Sequence, residues 1–170
     1  GSVTYPCEKE GDPGSPVVFV DSFPTPTGKA RFVPADIIPA DERPDTEYPM
    51  VLITGRQLEH WHTGAMTRRS EVLDTIEPEA VASFHAGDLK RLGVRPGDMV
   101  RVATRRGTVE LKARIDPAVP AGVLFIPFCY AEAPANFLTN PQLDPIGKIP
   151  EFKFCAARVE KAEGKAAAAE

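Results

Sequence analysis

The sequence predicts a mainly β fold, a small barrel of six or seven short strands with two short helices. Its apolar segments are short and bounded by turn residues, as in small antiparallel β folds. Proline makes up 18 of the 170 residues, which argues against a helical bundle because an interior proline breaks a helix. Residues 108–115 alternate between apolar and charged side chains, which is typical of a strand with one buried face. These observations do not favour a parallel, doubly wound sheet.

Residues 1–47 are predicted to form an extended N-terminal arm. Residues 1–16 are rich in glycine, proline and charge, which indicates a flexible leader, and its Gly1-Ser2 pair looks like a tag scar. Two apolar runs flank a turn at Thr27-Gly28, so a small hairpin is predicted at the start of segment 17–47. The rest of that segment is a proline-rich, acidic stretch typical of an extended linker from a preceding domain.

The barrel itself is predicted over residues 48–161. Strands are expected at 50–54, 80–84, 99–104, 108–115, 123–128 and 152–159. The strand at 123–128 is apolar on both faces, which indicates a central position. A helix at 70–76 would place Val72, Leu73 and Ile76 on one side, and a second helix at 86–92 would end at Gly93 in a left-handed cap. The segment 95–98 has the proline and glycine spacing of a type II turn.

A long loop follows the central strand. Residues 129–150 are rich in proline, asparagine and glutamine, and loops longer than about 12 residues in a compact domain are usually functional or disordered. Because the loop carries Phe137, Leu138, Leu143 and Ile146, we expect it to be packed down and functional. The alanine-rich tail at 162–170 is expected to be frayed.

Charge and cysteine content exclude several functional classes. The net charge is -4, so no general cationic field would attract nucleic acid or a membrane surface. No apolar run approaches the roughly 20 residues that span a bilayer, and no secretory signal is recognisable at the start. Cys7, Cys129 and Cys155 are far apart and form no C-x-x-C motif, which argues against a local iron–sulfur or cysteine–zinc site. A reduced, cytoplasmic protein is therefore expected.

The segment from Thr54 to Ser70 concentrates polar chemistry. It holds three arginines, two histidines and four hydroxyl residues against the single acid Glu59. Where the preceding strand ends, Gly55 can bring backbone N–H groups close to an anion, and arginine forks lie beside it. One interpretation is a phosphate-bearing ligand at the mouth of the barrel, and the other is a solvated basic loop with Trp61 tucked into the core. Neither a Walker loop nor a G-x-G-x-x-G motif occurs.

The histidines permit two interpretations. A His-x-His pair such as His60 and His62 suits zinc, but His85 is the only other histidine and nothing in the sequence places it nearby. We favour two histidines that donate to an anion, or one that donates and one that is satisfied in the core.

Polar residues late in the chain can be interpreted either as ligand-binding residues or as ordinary turn and surface residues. Asn136 could read a heterocycle together with Thr139 and Asn140, or these residues could serve turn chemistry. Lys153 is either directed at a ligand or solvated. No nucleophile–base pair stands out, so a self-sufficient catalytic site is not predicted.

Three long motifs together resemble a known family. The runs TGRQLEHWHTGAMTRRS, LKRLGVRPGDMVRV and VLFIPFCYAEAPANFLTNPQLDPIGKIPEFKFCAARVEK resemble the C-terminal domain of molybdopterin oxidoreductases, most closely the formate dehydrogenase alpha subunit. The resemblance covers about residues 48–161, and 19–33 resemble the stretch that precedes this domain. It implies a double-psi β-barrel over a bis-molybdopterin guanine dinucleotide with molybdenum or tungsten. Electron-transfer subunits and the remaining domains of the alpha subunit are the implied partners.

The same resemblance assigns site residues. It places a set from one loop against the phosphates, guanosine and pterin of the cofactor, namely Thr54, Gly55, Arg56, His60, His62, Thr63 and Arg68. Asn136 and Lys153 match positions that line the pterin side. Cys129 departs from the pattern, because relatives often carry histidine there in a PFHF-type run.

The resemblance also implies that this chain alone does not turn over formate. The family's metal-ligating cysteine or selenocysteine, its catalytic histidine and its iron–sulfur cysteines lie in earlier domains. Two alternatives stay open at this stage. One is the same domain from another molybdopterin oxidoreductase, such as a nitrate reductase, and the other is a non-enzymatic double-psi barrel that binds a peptide or phosphate.

Overall fold

The structure, a computed structural model, describes residues 4–162. The suspected tag scar Gly1-Ser2 and residues 163–170 of the expected frayed tail lie outside the described residues. Two compact units are present, Gly1–Ile38 and Pro39–Glu170. The strands are β1 Met50–Gly55, β2 Val81–Phe84, β3 Met99–Ala103, β4 Thr108–Ile115, β5 Val123–Pro127 and β6 Cys155–Lys161, and the α-helices are α1 Glu71–Ile76 and α2 Ala86–Leu92.

The first unit contains a turn but not the predicted hairpin. The N–H of Phe23 donates to the carbonyl of Gly28 at 3.0 Å, and Gly28 adopts a φ of +68°. No strand is assigned between residues 4 and 38, so the predicted strands on either side of this turn are wrong. The apolar runs lie exposed, with Val20 74% and Phe32 97% accessible, and an isolated two-stranded hairpin without a partner surface is marginal.

The second unit is a closed six-stranded barrel, as the sequence predicts. The strand order is β1-β5-β2-β4-β3-β6, and β6 closes the barrel by pairing with β1. Two pairs are parallel, β1 with β5 and β2 with β4, and the other four are antiparallel. Strand β5, predicted to be central, pairs with β1 and β2, and in this closed barrel every strand has two neighbours. No helix in the described part of the chain is long and apolar enough to span a membrane.

Alternating side chains of the strands fill the barrel. Leu52, Val100, Leu124 and Ile126 are fully buried, and Leu111 is nearly so. On β4 the predicted apolar face is buried except at its last member, Ile115, which is 42% exposed at the strand end. Because successive strand residues point to opposite faces, this pattern fixes which side of each strand forms the core.

Helix α2 follows the sequence signals closely. It ends at Gly93, which adopts a φ of +66° and donates its N–H back to the carbonyl of Lys90. The predicted turn before β3 is also present, since the N–H of Asp98 donates to the carbonyl of Arg95 at 3.0 Å and Gly97 has a φ of +88°. Leu89 is buried against the core, so α2 covers one side of the barrel.

Apolar side chains are exposed at two places, and at the second of them the structure corrects a prediction. Helix α1 buries no residue, and Val72 and Ile76 are 71% and 57% exposed. In the long loop, Leu138 is fully buried, but Phe137 and Ile146 are 62% and 92% exposed. The loop therefore packs down at residues 129–140 and lies open over most of 141–150. Apolar character alone does not tell whether a segment finds a covering surface.

The proline-rich linker is held to the barrel at its C-terminal part. Glu42 accepts from the guanidinium groups of Arg105 at 2.6 Å and Arg106 at 2.7 Å, and Asp45 also pairs with Arg105. The backbone N–H of Asp41 donates to the carboxylate of Glu151. Residues 39–47, which we call the strap, are thus part of the barrel unit.

We expect the strap to detach at acid pH. Burial works to raise the pKa of Glu42, but hydrogen bonds from Arg106 and Arg105 outweigh it and hold the pKa below its ordinary value of 4.5. The stabilisation is therefore present above pH 4.5 and is lost as the pH falls through the lower folded value. Glu42→Gln should remove it at every pH, at a cost of about 1–2 kcal/mol. Hydrogen exchange at residues 39–47 measures the effect, and unchanged protection in the variant would contradict it.

Candidate functional site

Two loops meet at one end of the barrel, which we call the mouth. Strands β1 and β5 are parallel neighbours, and their last residues, Gly55 and Pro127, are paired. The N–H of Phe128 then donates to the carbonyl of Gly55 at 3.1 Å. Because both strands leave the barrel at the same end, the basic loop of residues 56–70 and the long loop of residues 128–154 come together there. The sequence-predicted site residues all belong to these two loops or to the end of β1.

The first cavity at the mouth joins residues of both loops. It has a volume of about 440 Å³ and is lined by Thr54, Thr63, Phe128, Asn136, Thr139, Pro150 and Phe152. Three predicted residues, Thr54, Thr63 and Asn136, are thus brought together. Lys153 follows Phe152 directly, is exposed, and keeps its ammonium 5.9 Å from that ring centroid. Thr54 is 1% exposed and its hydroxyl donates to the carbonyl of Phe152 at 2.8 Å, which fixes one wall of the cavity.

The second cavity lies within the basic loop and against α1. It has a volume of about 570 Å³ and is lined by the seven residues from Arg56 to His62 together with Thr67 and Leu73. Arg56 is exposed and makes no ion pair or hydrogen bond to any residue from 4 to 162. Trp61 is 62% exposed, so the interpretation that placed it in the core is wrong. An uncommitted cation and an open aromatic ring are therefore both available to a ligand here.

The two histidines have different environments. His60 is 1% exposed, and its Nε2 lies 2.8 Å from the carbonyl of Glu77. His62 is exposed, adopts a φ of +48° and sets its ring edge-on to Trp61 at 4.6 Å. The interpretation with both histidines directed at an anion is therefore wrong for His60, which is satisfied in the core through one nitrogen. Among residues 4–162, no three potential metal-ligating side chains come together.

Arg68 is committed to the protein. Its guanidinium pairs with Asp74 and with Glu132 at 2.9 Å, donates to the carbonyl of Pro78 and lies 4.7 Å above the ring of Tyr130. Burial works to lower the pKa of Arg68, but the hydrogen bonds to Glu132 and Asp74 raise it overall. The predicted role of Arg68 as a phosphate ligand is not supported by this geometry. The side chain instead ties the basic loop to α1 and to the long loop.

A buried pair, Cys129 and Tyr130, underlies the basic loop. Burial raises the pKa of the Cys129 thiol to about 11, so this thiol is protonated and unreactive at neutral pH. The hydroxyl of Tyr130 donates to the carbonyl of Glu77 at 3.0 Å, the same carbonyl that His60 contacts. Burial likewise raises the pKa of Tyr130. The two residues pack beneath the basic loop and support it. Neither side chain is suited to act as a general acid or base at neutral pH.

Glycines at the mouth permit close backbone approach. Gly64 adopts a φ of +75°, and a Cβ there would lie 2.6 Å from the carbonyl oxygen of Cys129. At Gly55 a Cβ would lie 2.5 Å from the ring of Phe125. A side chain at either position would therefore push the basic loop away from the barrel.

The sequence pattern missed the residues that hold this loop in place. Asp74 and Glu132 pair with Arg68, and Tyr130 supports it, yet none of them was singled out. Asp74 lies only six residues beyond Arg68, so a local sequence pattern could have suggested this ion pair. Glu132 is 64 residues away from Arg68, and no local pattern indicates that second ion pair. The side-chain amide of Gln57 donates to the carboxylate of Glu59 at 2.8 Å, and both residues line the second cavity. The i, i+2 spacing of the two residues does not predict this hydrogen bond.

Comparison with known proteins identifies relatives over most of the chain. The family described as the molydopterin dinucleotide binding domain matches residues 50–156. The F420-dependent formate dehydrogenase 1 subunit alpha of Methanococcus maripaludis is 45% identical over 92% of this chain and 23% of its own length. The F420-dependent formate dehydrogenase subunit alpha of Methanocaldococcus jannaschii is 40% identical over 94% of this chain and 24% of its own. The chain thus spans about a quarter of the length of these relatives.

A solved structure shares the fold. Acetylene hydratase from Pelobacter acetylenicus superposes with a TM-score of 0.62 and 23% sequence identity, over 68% of this chain and 19% of that one. At this identity the likeness concerns the architecture of the barrel alone.

Proposed function

Because the chain belongs to the molybdopterin dinucleotide-binding domain family, we propose that it is the cofactor-holding part of a formate dehydrogenase alpha subunit. The relatives that support this choice are 40–45% identical and cover more than nine-tenths of the chain. No observation favours the nitrate reductase alternative or a non-enzymatic barrel over it. The parent enzyme would oxidise formate to carbon dioxide.

The residues at the mouth fit a nucleotide-bearing cofactor. Arg56, Arg69 and Lys153 are exposed cations without an anionic partner among the described residues, although Lys153 lies near an aromatic ring. Uncommitted guanidinium groups suit the two phosphates of a dinucleotide because their forks match phosphate oxygens. Thr63 and Asn136 add a hydroxyl and an amide in the adjoining cavity. The observation that carries the proposal is Arg56, a free guanidinium directly after a buried strand.

The residues at the mouth would bind the cofactor and orient it. Arg56 would hold a phosphate, Thr63 and Asn136 would hydrogen-bond the pterin end, and Lys153 would add charge at the rim. Gly55 and Gly64 would let the loop pack closely on the barrel, which would hold the neighbouring polar side chains in place. The two-electron oxidation of formate is chemistry that the bound molybdenum or tungsten cofactor supplies. The walls of the barrel mouth would exclude water from one side of it.

We extend the proposal to the partners of the chain, its cellular location and the type of its barrel. The remaining domains of the alpha subunit and electron-transfer subunits would be the partners, with no nucleic acid and no membrane. A cytoplasmic location is supported by three cysteines that are all free thiols. The double-psi form of the barrel is supported by its two parallel strand pairs, β1–β5 and β2–β4.

Removal of the Arg56 guanidinium is expected to weaken nucleotide binding by this chain. We expect GDP to bind with a Kd of roughly 0.1–10 mM, because only part of the cofactor envelope is present. Loss of a charge-assisted hydrogen bond or two, at about 1.5–3 kcal/mol each, should push the Kd of Arg56→Ala beyond detection. Backbone amide shifts at residues 55–69 measure the binding.

The matched control is Arg95→Ala, because Arg95 is exposed in the turn before β3, away from the mouth. This variant should bind GDP as the unaltered chain does. Equal GDP affinity in Arg56→Ala and Arg95→Ala would rule out Arg56 as the phosphate clamp.

A further inference from the structure

Part of the long loop forms one wall of the first cavity, and we call residues 136–140 the wall. Asn136 and Thr139 line the cavity, whereas Leu138 is fully buried and Asn140 is 7% exposed. In the described part of the chain, no backbone-to-backbone hydrogen bond joins the wall to a strand. Side-chain contacts and the burial of Leu138 must therefore fix the position of the wall.

One guanidinium group connects the wall to the strap. Arg106, in the turn between β3 and β4, donates from one terminal nitrogen to the carbonyl of Leu138 at 2.8 Å and from the other to Glu42 at 2.7 Å. Both charged side chains are largely enclosed, with 23% of Arg106 and 13% of Glu42 exposed. Because the guanidinium is a planar, rigid fork, a partner on one nitrogen also orients the other. The strap carboxylate therefore aims the donor that reaches the wall.

A carboxylate makes a second connection between the strap and the wall. Glu151 accepts from the side-chain amide of Asn140 at 2.8 Å and from the backbone N–H of Asp41 at 3.2 Å. The amide oxygen of Asn140 also accepts from the N–H of Gln142 at 2.9 Å, so both ends of this amide are held. Thr139, which lines the cavity, lies between the two points at which the strap acts on the wall.

The turn that carries Arg106 is in direct contact with the wall. A Cβ added at Gly107 would lie 2.8 Å from the carbonyl oxygen of Phe137, so the two backbones approach closely. Such packed contacts transmit a displacement because they leave few voids to absorb it. If the strap left, Arg106 would keep its charge and lose its anion, and a partly buried cation without a partner reorients towards water.

We propose that the strap positions the wall of the first cavity, with Arg106 as the positioning residue that joins the two, so that an attached strap favours binding of the pterin end of the cofactor. Neither Arg106 nor Glu42 lines the cavity, so both would act through the wall. The inference rests on the proposed function, which places the pterin end against Thr63 and Asn136. It adds the element that sets where Asn136 lies.

The first test compares the 15N-labelled chain with its Glu42→Gln variant. The amide lacks the charge that orients Arg106, so the side-chain amide resonance of Asn136 and the backbone resonance of Thr139 should shift. Hydrogen exchange at residues 136–140 should become at least about fivefold faster, which corresponds to the loss of one ordinary hydrogen bond.

Two further variants accompany this comparison. Glu151→Ala removes the second connection and should speed exchange in the wall as well. Glu79→Gln is the matched control, because Glu79 pairs with Lys112 at 2.7 Å and touches neither the strap nor the wall. This control should leave the wall resonances in place. Thermal midpoints within a few degrees of the unaltered chain establish that each variant is folded.

Arg106→Gln separates a positioning role from general loosening. If Glu42 acts through Arg106, the change Glu42→Gln should add nothing to the exchange rates of the wall once the guanidinium is gone. A strap that stabilised the barrel in some other way would add its own effect in both backgrounds.

Two probes test the consequence for binding. Neopterin, which has the pterin ring without phosphate, reports on the first cavity, and GDP reports on the phosphate site at Arg56. Glu42→Gln should weaken neopterin binding at least about fivefold and leave the GDP affinity within about twofold. A general loss of stability would not separate the two probes.

Three results would overturn the inference. These are an unmoved wall in Glu42→Gln, an equal effect of this change with and without the Arg106 guanidinium, or neopterin binding that is absent or weakened no more than that of GDP. If any of them occurs while Arg56→Ala still abolishes GDP binding, the strap fails as a positioning element and the cofactor-binding function stands. If Arg56→Ala binds GDP normally while Glu42→Gln moves the wall as expected, it is the phosphate site that fails.

Discussion

Ile126→Asp is expected to unfold the barrel. Ile126 is fully buried in β5, and its neighbour on the same face, Leu124, is equally buried. An aspartate there would place an unpaired charge or an unsatisfied carboxyl group among apolar side chains, at a cost of several kcal/mol. Because single domains have a total stability of about 5–15 kcal/mol, this loss is of the same order as the whole. Circular dichroism should show no cooperative thermal transition.

Two variants bracket this expectation. Ile126→Val removes one methylene group and should cost only about 0.5–1.5 kcal/mol, which preserves the transition. Ile76→Asp changes the same residue type on α1, where it is 57% exposed, and should leave the midpoint within a few degrees. A cooperative transition in Ile126→Asp with a midpoint near that of Ile76→Asp would show that β5 is not the core strand described above.

Gly64→Ala is expected to destabilise the domain by about 2–5 kcal/mol, the second largest effect. Gly64 has a φ of +75°, a left-handed conformation that costs a residue with a Cβ about 1–2 kcal/mol. The added Cβ would also lie 2.6 Å from the backbone oxygen of Cys129, and relief of such a contact typically costs about 1–3 kcal/mol. Urea unfolding measures the change in free energy, and amide shifts at residues 55–70 report the displaced loop.

Gly93→Ala isolates the steric part of this effect. Gly93 has a similar φ of +66°, but a Cβ there would meet nothing within 4 Å. Only the backbone cost of about 1–2 kcal/mol should appear. Equal losses in the two variants would mean that Gly64 is not wedged against the Cys129 backbone.

Elements with a local signal were predicted well. Helix α2 and strand β4 have the predicted bounds, because a left-handed glycine cap and strict alternation both act within a few residues. The barrel class also followed from the sequence, since short apolar strands bounded by turns leave few other ways to bury one face. The family resemblance assigned Thr54, Thr63 and Asn136 to a cofactor, and the structure shows that these three residues line one cavity.

The errors share a different cause. The apolar residues of the loop at 129–150 and the runs around residues 17–33 look like buried positions, but burial depends on a covering surface that local periodicity does not reveal. Arg68 looks like an anion ligand until its distant partner Glu132 is known. His60 could have been assigned to the core or to a ligand, and the choice depends on the carbonyl of Glu77, 17 residues away. Each of these misassignments depends on the presence or absence of a long-range contact, which a pattern in one segment cannot contain.

The pairing of β1 has a consequence for synthesis on the ribosome. Both neighbours of β1 come much later in the chain, since Val51 pairs with Val123 and Met50 pairs with Ala157. Strand β1 therefore leaves the exit tunnel with both hydrogen-bonding edges unpaired. More than 100 further residues must be synthesised before β6 can pair with β1 and close the barrel. Such distant pairings slow folding, because chain entropy is lost before the contacts repay it. During that interval the apolar segment at residues 50–54 is exposed to other nascent chains, and a chaperone that binds short apolar peptides would find its target there.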